Sequence, residues 1–409
     1  MECSWKILVL LIFISLAIQY TAIKSLRTNM MSPCTKTMVE NRCGNIKVTD
    51  DITRALCEDI NTRQSRKHIL IFATARSGSS FLGQLFNQNP DVFYLFEPLY
   101  LVQYTLANKQ PAIDRLSLLG AYRDLLQNLY DCDFYHLENY IKPPPKDHVA
   151  LSFFRHAASK ALCAPPVCKQ EERLEENKCA KRCYKINMTL ASTACRSYKY
   201  MAIKIIRIPE IDHLKTLVED PRLNLKIIQL VRDPRAVLAS RISTFGDQYR
   251  LYQIWNSSGK MPHNLDLNLI KNLCIDYSRS VETAFSRPSW LKGRYMLVRY
   301  EDLARDPIKK ANEMYNFVGL EWKDNLTAWI EENTNASVPY NVNKYTTNRN
   351  SSETPENWRL RLHFNIVQAV QDICKKTLSQ FGYQSVDSIH QLKNLSQTLI
   401  EPREFLPFV

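Results

Sequence analysis

The stretch His68-Ile-Leu-Ile-Phe-Ala73, continuing through Thr74-Ala-Arg-Ser-Gly-Ser-Ser80 into Phe81-Leu-Gly-Gln-Leu-Phe86, decides how this chain folds. A short unbroken apolar run such as Ile69 to Ala73 is the pattern of a strand buried on both faces. Phe81, Leu82, Leu85 and Phe86 recur at helical spacing, so the polar residues between the runs form a tight turn from strand into helix. Further strands are expected at Val92 to Phe96, Met201 to Ile206, Leu225 to Val231 and Tyr295 to Tyr300. Helices are expected near 113 to 129, 211 to 219, 267 to 285, 307 to 317 and 359 to 381. Strands alternating with helices predict an α/β fold, a mostly parallel sheet flanked by helices.

The 409 residues are 45% hydrophobic and 10% aromatic, which gives the chain a core to bury and excludes a wholly disordered protein. Nine glycines are too few for a collagen-like or glycine-rich repeat. The length accommodates one large domain with insertions or two ordinary ones. Twelve cysteines are many for a cytosolic enzyme and point to a compartment in which disulfides form.

Between Lys6 and Lys24, Ile7 to Ile23 form a run of 17 residues without formal charge. As a helix it spans about 25 Å. An uncleaved signal anchor is the expectation, because a small-x-small cleavage site is poorly formed here. The flanking charges oppose one another and do not orient it. Orientation comes from Asn-x-Ser/Thr sequons at Asn187, Asn256, Asn325, Asn335, Asn350 and Asn394, and from eleven of the twelve cysteines, all downstream of the anchor. The expected layout is a cytosolic tail at 1–6, a transmembrane anchor at 7–23, a lumenal stem at 24–66 and a globular body at 67–409. Chance sequons in an Asn- and Ser-rich chain are the competing reading for the glycosylation sites.

An odd number of lumenal cysteines leaves at least one free, mispaired or intermolecular. Cys34 in the stem is the first suspect, and a disulfide-linked homodimer through the stem is the corresponding partner expectation. The formal charge is +13, from 54 basic and 41 acidic residues, and it lies almost wholly beyond residue 24. Nucleic acid is absent from a secretory lumen, so acidic glycans, anionic small molecules and lipid head groups are the partners such a surface suits. A positive surface that serves only solubility explains the same charge. A segment at 155–199 interrupts the strand-helix order and holds Cys163, Cys168, Cys179, Cys183 and Cys195. Its cysteine spacings lack histidine partners for zinc, so disulfides are favoured, with connectivity not readable from spacing.

Two segments carry chemistry. Thr74, Ala75, Arg76, Ser77, Gly78, Ser79 and Ser80 lie between strand and helix, where backbone N–H groups and the helix dipole bind oxyanions. The hydroxyls of Ser77, Ser79 and Ser80 and the Arg76 guanidinium add donors. The Gly-x4-Gly-Lys pattern of a nucleoside triphosphatase loop is missing. Arg232, Asp233, Pro234, Arg235, Ala236, Val237, Leu238, Ala239 and Ser240 repeat the theme, with an Asp-Pro turn opening a second helix. Two such mouths at carboxyl strand ends can grip two anionic groups of one ligand. Each also reads, alone, as an ordinary helix start with surface arginines.

The pair resembles the 5′-phosphosulfate loop and 3′-phosphate motif of the Golgi carbohydrate sulfotransferases, which use 3′-phosphoadenosine 5′-phosphosulfate (PAPS). The likeness extends through CSWK (3–6), IQYTAI (18–23), RSGSSFLGQLFNQ (76–88), DVFYLFEPLY (91–100), LYDCD (129–133), LENYIKPPP (137–145), VEDPRLNLKIIQLVRDPR (218–235) and WLKGRYMLVRYEDLARDP (290–307). It implies a P-loop-like, PAPS-dependent sulfotransferase fold, with Thr74 to Ser80 on the phosphosulfate and Arg232 to Ser240 around the 3′-phosphate. Arg359, after Trp358, resembles a carboxyl-terminal nucleotide contact. Ala236-Val237 departs from the family's Gly-Ile, and residues 169–194 and 334–350 match less well.

A sugar hydroxyl needs a base, and positive charge is needed where negative charge develops. Glu97, following the strand at Val92 to Phe96 and close enough to Arg76 to share its mouth, is the candidate base, and Lys204 with Arg207 just after it are candidates to bind the transferring sulfonate or an acidic acceptor; a solvated acid at Glu97 and structural ion pairing of Lys204 remain open. Glu301 and Asp302 match the family or simply cap a helix. The resemblance implies sulfonate transfer to a 6-hydroxyl, of galactose in keratan sulfate or another galactose-containing glycan, without a metal, on a lumenal, single-pass type II Golgi membrane protein. N-acetylglucosamine or N-acetylgalactosamine is the rival acceptor, and a noncatalytic glycan-binding protein on the same fold is the rival from another class.

Overall fold

The computed structural model describes residues 66–107, 114–151, 153–169, 176–334 and 355–408. The expected anchor, nearly all of the stem and the sequons at Asn335 and Asn350 lie outside the described residues. Among the described residues no helix is long and apolar enough to cross a membrane.

Among the described residues there are seven strands: β1 (Lys67–Ala73), β2 (Val92–Phe96), β3 (Val149–Ala150), β4 (Ile186–Asn187), β5 (Tyr200–Ile205), β6 (Asn224–Val231) and β7 (Tyr295–Arg299). Five form one sheet in the order β2-β5-β1-β6-β7, and every pairing in it is parallel. β3 and β4 make a separate antiparallel pair. The apolar runs are unbroken because both faces of the sheet are covered, and the strand period of two still sorts their side chains. Leu70 and Phe72 of β1 enter one core, while Ile69, Ile71 and Ala73 enter the other.

The principal helices are α1 (Ser79–Asn87), α2 (Arg115–Tyr130), α3 (Met188–Ser197), α4 (Pro234–Thr244), α5 (Arg250–Ser258), α6 (Asn268–Phe285), α7 (Pro307–Val318) and α8 (Phe364–Ile373). Tyr122, Leu125 and Leu126 of α2 and Ile366, Val367 and Val370 of α8 fill the first core. Leu82, Leu85 and Phe86 of α1 pack with Ala311, Met314 and Tyr315 of α7 in the second. Asp114 caps α2 by accepting from the N–H groups of Leu116 and Ser117, as a short acid before a helix does.

The helix expected over 359–381 is three: Trp358–Arg361, α8 and Lys375–Phe381. His363 takes extended backbone, caps α8 through its ring and gives its own N–H to Asn256 Oδ1, 2.8 Å away. Cys374 interrupts the second junction and is bonded to Cys274. α3 and α5 were not expected from sequence. The buried face of α3 is built from small residues such as Ala191, Ser192 and Ala194, which leave a weak apolar period.

The eight cysteines of the described body form four disulfides, Cys132–Cys195, Cys163–Cys179, Cys168–Cys183 and Cys274–Cys374. The Cys-rich segment is therefore a stapled lobe, not a zinc site. Cys274–Cys374 links residues 100 apart and ties α6 to the end of α8. Bridges that close long loops restrict the unfolded chain most, so a double Cys274→Ser, Cys374→Ser variant should lose about 2–5 kcal/mol of stability. Thermal unfolding of the oxidised proteins measures this, and an unchanged midpoint would show the bridge to be energetically idle.

Candidate active site

In a parallel sheet all carboxyl strand ends share one edge, and here that edge gathers the candidate residues. Glu97 follows β2, Lys204 lies near the end of β5 with Arg207 beyond it, Thr74 to Ser80 follow β1, Arg232 follows β6, and Tyr300 with Glu301 follow β7. β5 lies between β1 and β2. With neighbouring strands about 4.8 Å apart, Lys204 stands between the phosphate-type loop and Glu97. Sequence order had suggested that Glu97 and Arg76 share one mouth directly.

At the end of β1 the chain turns through Arg76 (φ 72°) and Gly78 (φ 94°). Gly78 is required twice, by its left-handed backbone and because a Cβ there would lie 2.3 Å from the Tyr300 ring. No side chain caps α1, so its leading N–H groups face the mouth with the positive end of the dipole. Arg76 Nε donates to Ser240 Oγ at 3.0 Å, Arg232 Nη1 to the Arg76 carbonyl at 3.2 Å and Arg241 Nε to the Ala75 carbonyl at 3.2 Å. The two motifs thus meet across the β1–β6 pairing. Thr74 Oγ1 shares a 2.7 Å hydrogen bond with Tyr277 OH, and the Arg232 guanidinium lies 4.3 Å over the Tyr300 ring.

Other expected contacts are corrected by burial. Ser77 is buried and spends its hydroxyl on the Thr74 carbonyl, 2.8 Å away, leaving it none for a ligand. Asp233 caps α4 through the Arg235 N–H and grips the Arg235 guanidinium, which also donates to Gln371 Oε1 and the Gln384 carbonyl. Pro234, Ala236, Val237, Leu238 and Ala239 are buried as well, so of the second motif only Arg232 and Ser240 reach the first loop. Arg359 is likewise buried. Its buried guanidinium is saturated by Glu356 and by the carbonyls of Gln391, Leu392, Asn394 and Gln397.

Glu97 has a strained backbone (φ 47°) and a buried side chain. Lys204 Nζ pairs with its Oε1, and Arg207 Nη1 lies 2.7 Å from Oε2. Burial pushes this carboxyl up, but Lys204 and Arg207 outweigh it and hold the group below the usual carboxylate range, so it is ionised. Burial brings Lys204 down to about 8 against the opposing pull of Glu97. The ion pair anticipated for Lys204 is therefore real, and its partner is the candidate base. Arg155, from the Cys-rich lobe, lies 4.4 Å over the Phe96 ring and pairs with Glu176.

Sequence reasoning did not single out Arg155, Arg241 or Tyr277, which carry no motif of their own. Tyr300 sat in a matched block without an assigned task, and Glu301 was read there as a family match or a helix cap. Glu301 is fully buried and accepts from the Asp233 N–H at 3.0 Å and from Tyr383 OH at 2.7 Å. It fixes the turn that presents Arg232. Burial, reinforced by the Asp233 charge, pushes its carboxyl up to about 7. Asp302 instead pairs with Arg299 at 2.6 Å.

Taken together, the edge offers an uncapped helix end and arginines for an anion, with an ionised carboxylate one strand beyond a buried lysine. A model of the sulfotransferase domain family matches residues 66–382. Carbohydrate sulfotransferase 1 of Mus musculus is 50% identical over 423 residues, covering 100% of both chains. The protein of the same name in Danio rerio is 49% identical over 422 residues, again covering 100% of both. Carbohydrate sulfotransferase 3 of Mus musculus is 43% identical over 343 residues, covering 83% of this chain and 72% of that one.

Glu301 makes the fold pH-dependent in a defined direction. Its folded pKa, about 7, lies above the ordinary 4.5, so the stability linked to it is fully present below 4.5 and is lost as pH rises through 7. Glu301→Gln keeps a carbonyl acceptor for the Asp233 N–H and does not ionise. Its stability should decline less than that of the wild type across this window, by roughly 2–3 kcal/mol in all. Denaturant unfolding at stepped pH tests this, and parallel curves would contradict a buried, uptitrated Glu301.

Proposed function

The chain belongs to the sulfotransferase family, and from that membership we propose that it transfers sulfonate from PAPS to the 6-hydroxyl of galactose in keratan sulfate or a related poly-N-acetyllactosamine glycan. It is an enzyme that sulfates carbohydrate. The observation carrying the finer reading is the junction of the two motifs, Arg76 on Ser240 and Arg232 on the Arg76 carbonyl, beside the ionised Glu97.

The site fits a donor with two anionic ends. When bound, PAPS supplies a sulfonate already activated by its bond to phosphate. The open end of α1, with Arg76, holds the phosphosulfate end, and Arg232 with Ser240 holds the 3′-phosphate. Glu97 orients the sugar hydroxyl and accepts its proton at Oε1 or Oε2. An ion-paired carboxylate is a weak base, so this role needs Lys204 or Arg207 to shift toward the anionic donor as the acceptor enters. Lys204, largely protonated below about pH 8, then contributes positive charge between donor and acceptor.

Galactose is favoured over N-acetylglucosamine or N-acetylgalactosamine by the end-to-end match to carbohydrate sulfotransferase 1. The protein is proposed to be a single-pass type II Golgi membrane protein with a lumenal body, anchored by residues 7–23. Four disulfides in that body support an oxidising compartment. They use every body cysteine, so a lumenal odd thiol falls among Cys34, Cys43 and Cys57, which is the basis for proposing a homodimer bridged through the stem. Among the described sequons, exposed Asn394 is well suited to carry a glycan. Asn256 is the poorest, because its amide bonds the Arg361 carbonyl and the His363 N–H.

The direct experiment incubates the lumenal portion, residues 24–409, with labelled PAPS and defined oligosaccharides, and reads the product linkage by mass spectrometry. Label on the 6-hydroxyl of galactose supports the reading, and label confined to an N-acetylhexosamine would replace it. Arg76→Ala should cut turnover by about 10² to 10³, as loss of a charged donor at the reacting group does; near-normal turnover would remove it from the site. Arg232→Ala should mainly raise the KM for PAPS, since the 3′-phosphate contact persists in ground and transition states.

Glu97→Gln should fold, bind PAPS and lose about 10² or more of turnover. The variant also strips Lys204 of its countercharge, so melting temperature and calorimetric PAPS binding must be measured alongside the rate. A folded, PAPS-binding variant with most of its activity would place the base elsewhere.

A further inference from the structure

Beside Glu97 a file of aromatic rings leads outward from the catalytic edge. Phe96, the residue before Glu97, lies 6.2 Å from Phe154; Phe154 stacks on Tyr100 at 4.0 Å, and Tyr100 stacks on Tyr104 at 6.0 Å with an interplanar angle of 18°. Tyr104 ends the file and is 47% exposed. A single guanidinium joins this file to the carboxylate. Arg207 donates through Nη1 to Glu97 Oε2 at 2.7 Å and through Nε to Gln103 Oε1 at 2.6 Å, and it lies 5.1 Å from the centre of the Tyr100 ring.

From this we infer that Tyr104, backed by Tyr100 and flanked by Gln103 and Arg207, is the subsite for the sugar adjoining the one that receives sulfonate. The inference rests on the reading of Glu97 as lying at the acceptor hydroxyl. A pyranose ring presents a C–H face and a rim of hydroxyl and amide groups. Aromatic rings suit the first, and the Gln103 amide and Arg207 fork suit the second. Local backbone supports the assignment. Gln103 and Tyr104 open a π-helical turn, Gln103–Ala107, and both are exposed. Such turns are uncommon and concentrate at functional sites, where they re-aim side chains.

The subsite makes the enzyme a reader of chain length, since a single sugar at Glu97 leaves Tyr104 uncovered while a longer glycan covers it. The occupant is thus a glycan of at least two residues, its second sugar offering an apolar face.

The test uses whichever sugar the wild-type protein sulfates fastest, offered both as a simple glycoside and within a tetrasaccharide. Failure of the galactose reading then appears in the wild-type acceptor panel, whereas failure of the subsite appears in the length dependence of the variants. Tyr104→Ala should raise the KM for the tetrasaccharide about tenfold, with kcat and the KM for PAPS within about twofold of wild type, and should leave the glycoside's KM nearly unmoved. Tyr104→Trp, which keeps a flat ring, should restore tetrasaccharide affinity. Equal effects on both acceptors, or none on either, would overturn the subsite, as would a failure of Trp to rescue a folded protein.

Discussion

The ring of Tyr300 pressed against the backbone at Gly78 is the contact on which the donor side depends. No side chain can occupy position 78, because a Cβ would fall inside that ring. The other consequence is felt by Arg232, whose guanidinium lies over the same ring while it reaches back to the Arg76 carbonyl. One residue later, Glu301 holds the Asp233 N–H, and Asp233 in turn caps α4 and binds Arg235. A glycine after β1 and, after β7, a tyrosine and a buried acid therefore set the spacing of the two strand-to-helix turns. Parallel pairing makes this economical, because the register that aligns β6 with β7 also aligns their exits.

Cations at this edge fall into two populations that look alike in sequence. Arg235, Arg299 and Arg359 are buried and committed to structure, and all three hold the carboxyl-terminal part of the chain. Arg299 donates to the Phe381 and Glu401 carbonyls, Arg235 to that of Gln384, and Arg359 to four carbonyls between Gln391 and Gln397. A buried guanidinium satisfied on every side fixes geometry rather than binding ligand. Arg76, Arg207 and Arg232 instead have partners within the site itself, so any movement they make is felt by the reacting groups.

This division explains what could be read in advance. The five main strands were legible because each is an unbroken apolar run, and the two turns after β1 and β6 were legible because Gly78 and Pro234 mark strand-to-helix transitions. The burial of Arg235 and Arg359 was not legible, because sequence shows a guanidinium but not which carbonyls will saturate it. Lys204 was recognised, yet its place between the first loop and Glu97 depends on β5 inserting beside β1, and no local pattern encodes strand order. Arg155 was invisible for a related reason: it belongs to the Cys-rich lobe, and only the tertiary fold lays it on Phe96. The helix expected over 359–381 failed at His363 and Cys374, where partners on α5 and α6 override an otherwise continuous helical period.

The central position of β1 also governs the order in which the protein can come into being. Lys67 is aligned with Tyr200 on one side and with Asn224 on the other, so β1, the first strand among the described residues, has no sheet partner until about half of the chain has been synthesised. Contacts so distant in sequence carry a large loop-closure cost and form slowly. The turn bearing Arg76 and Gly78 is attached directly to that waiting strand. Incomplete chains released during synthesis would therefore carry the entire first motif yet lack the shape to hold a donor, which makes translation of the second half a checkpoint on competence.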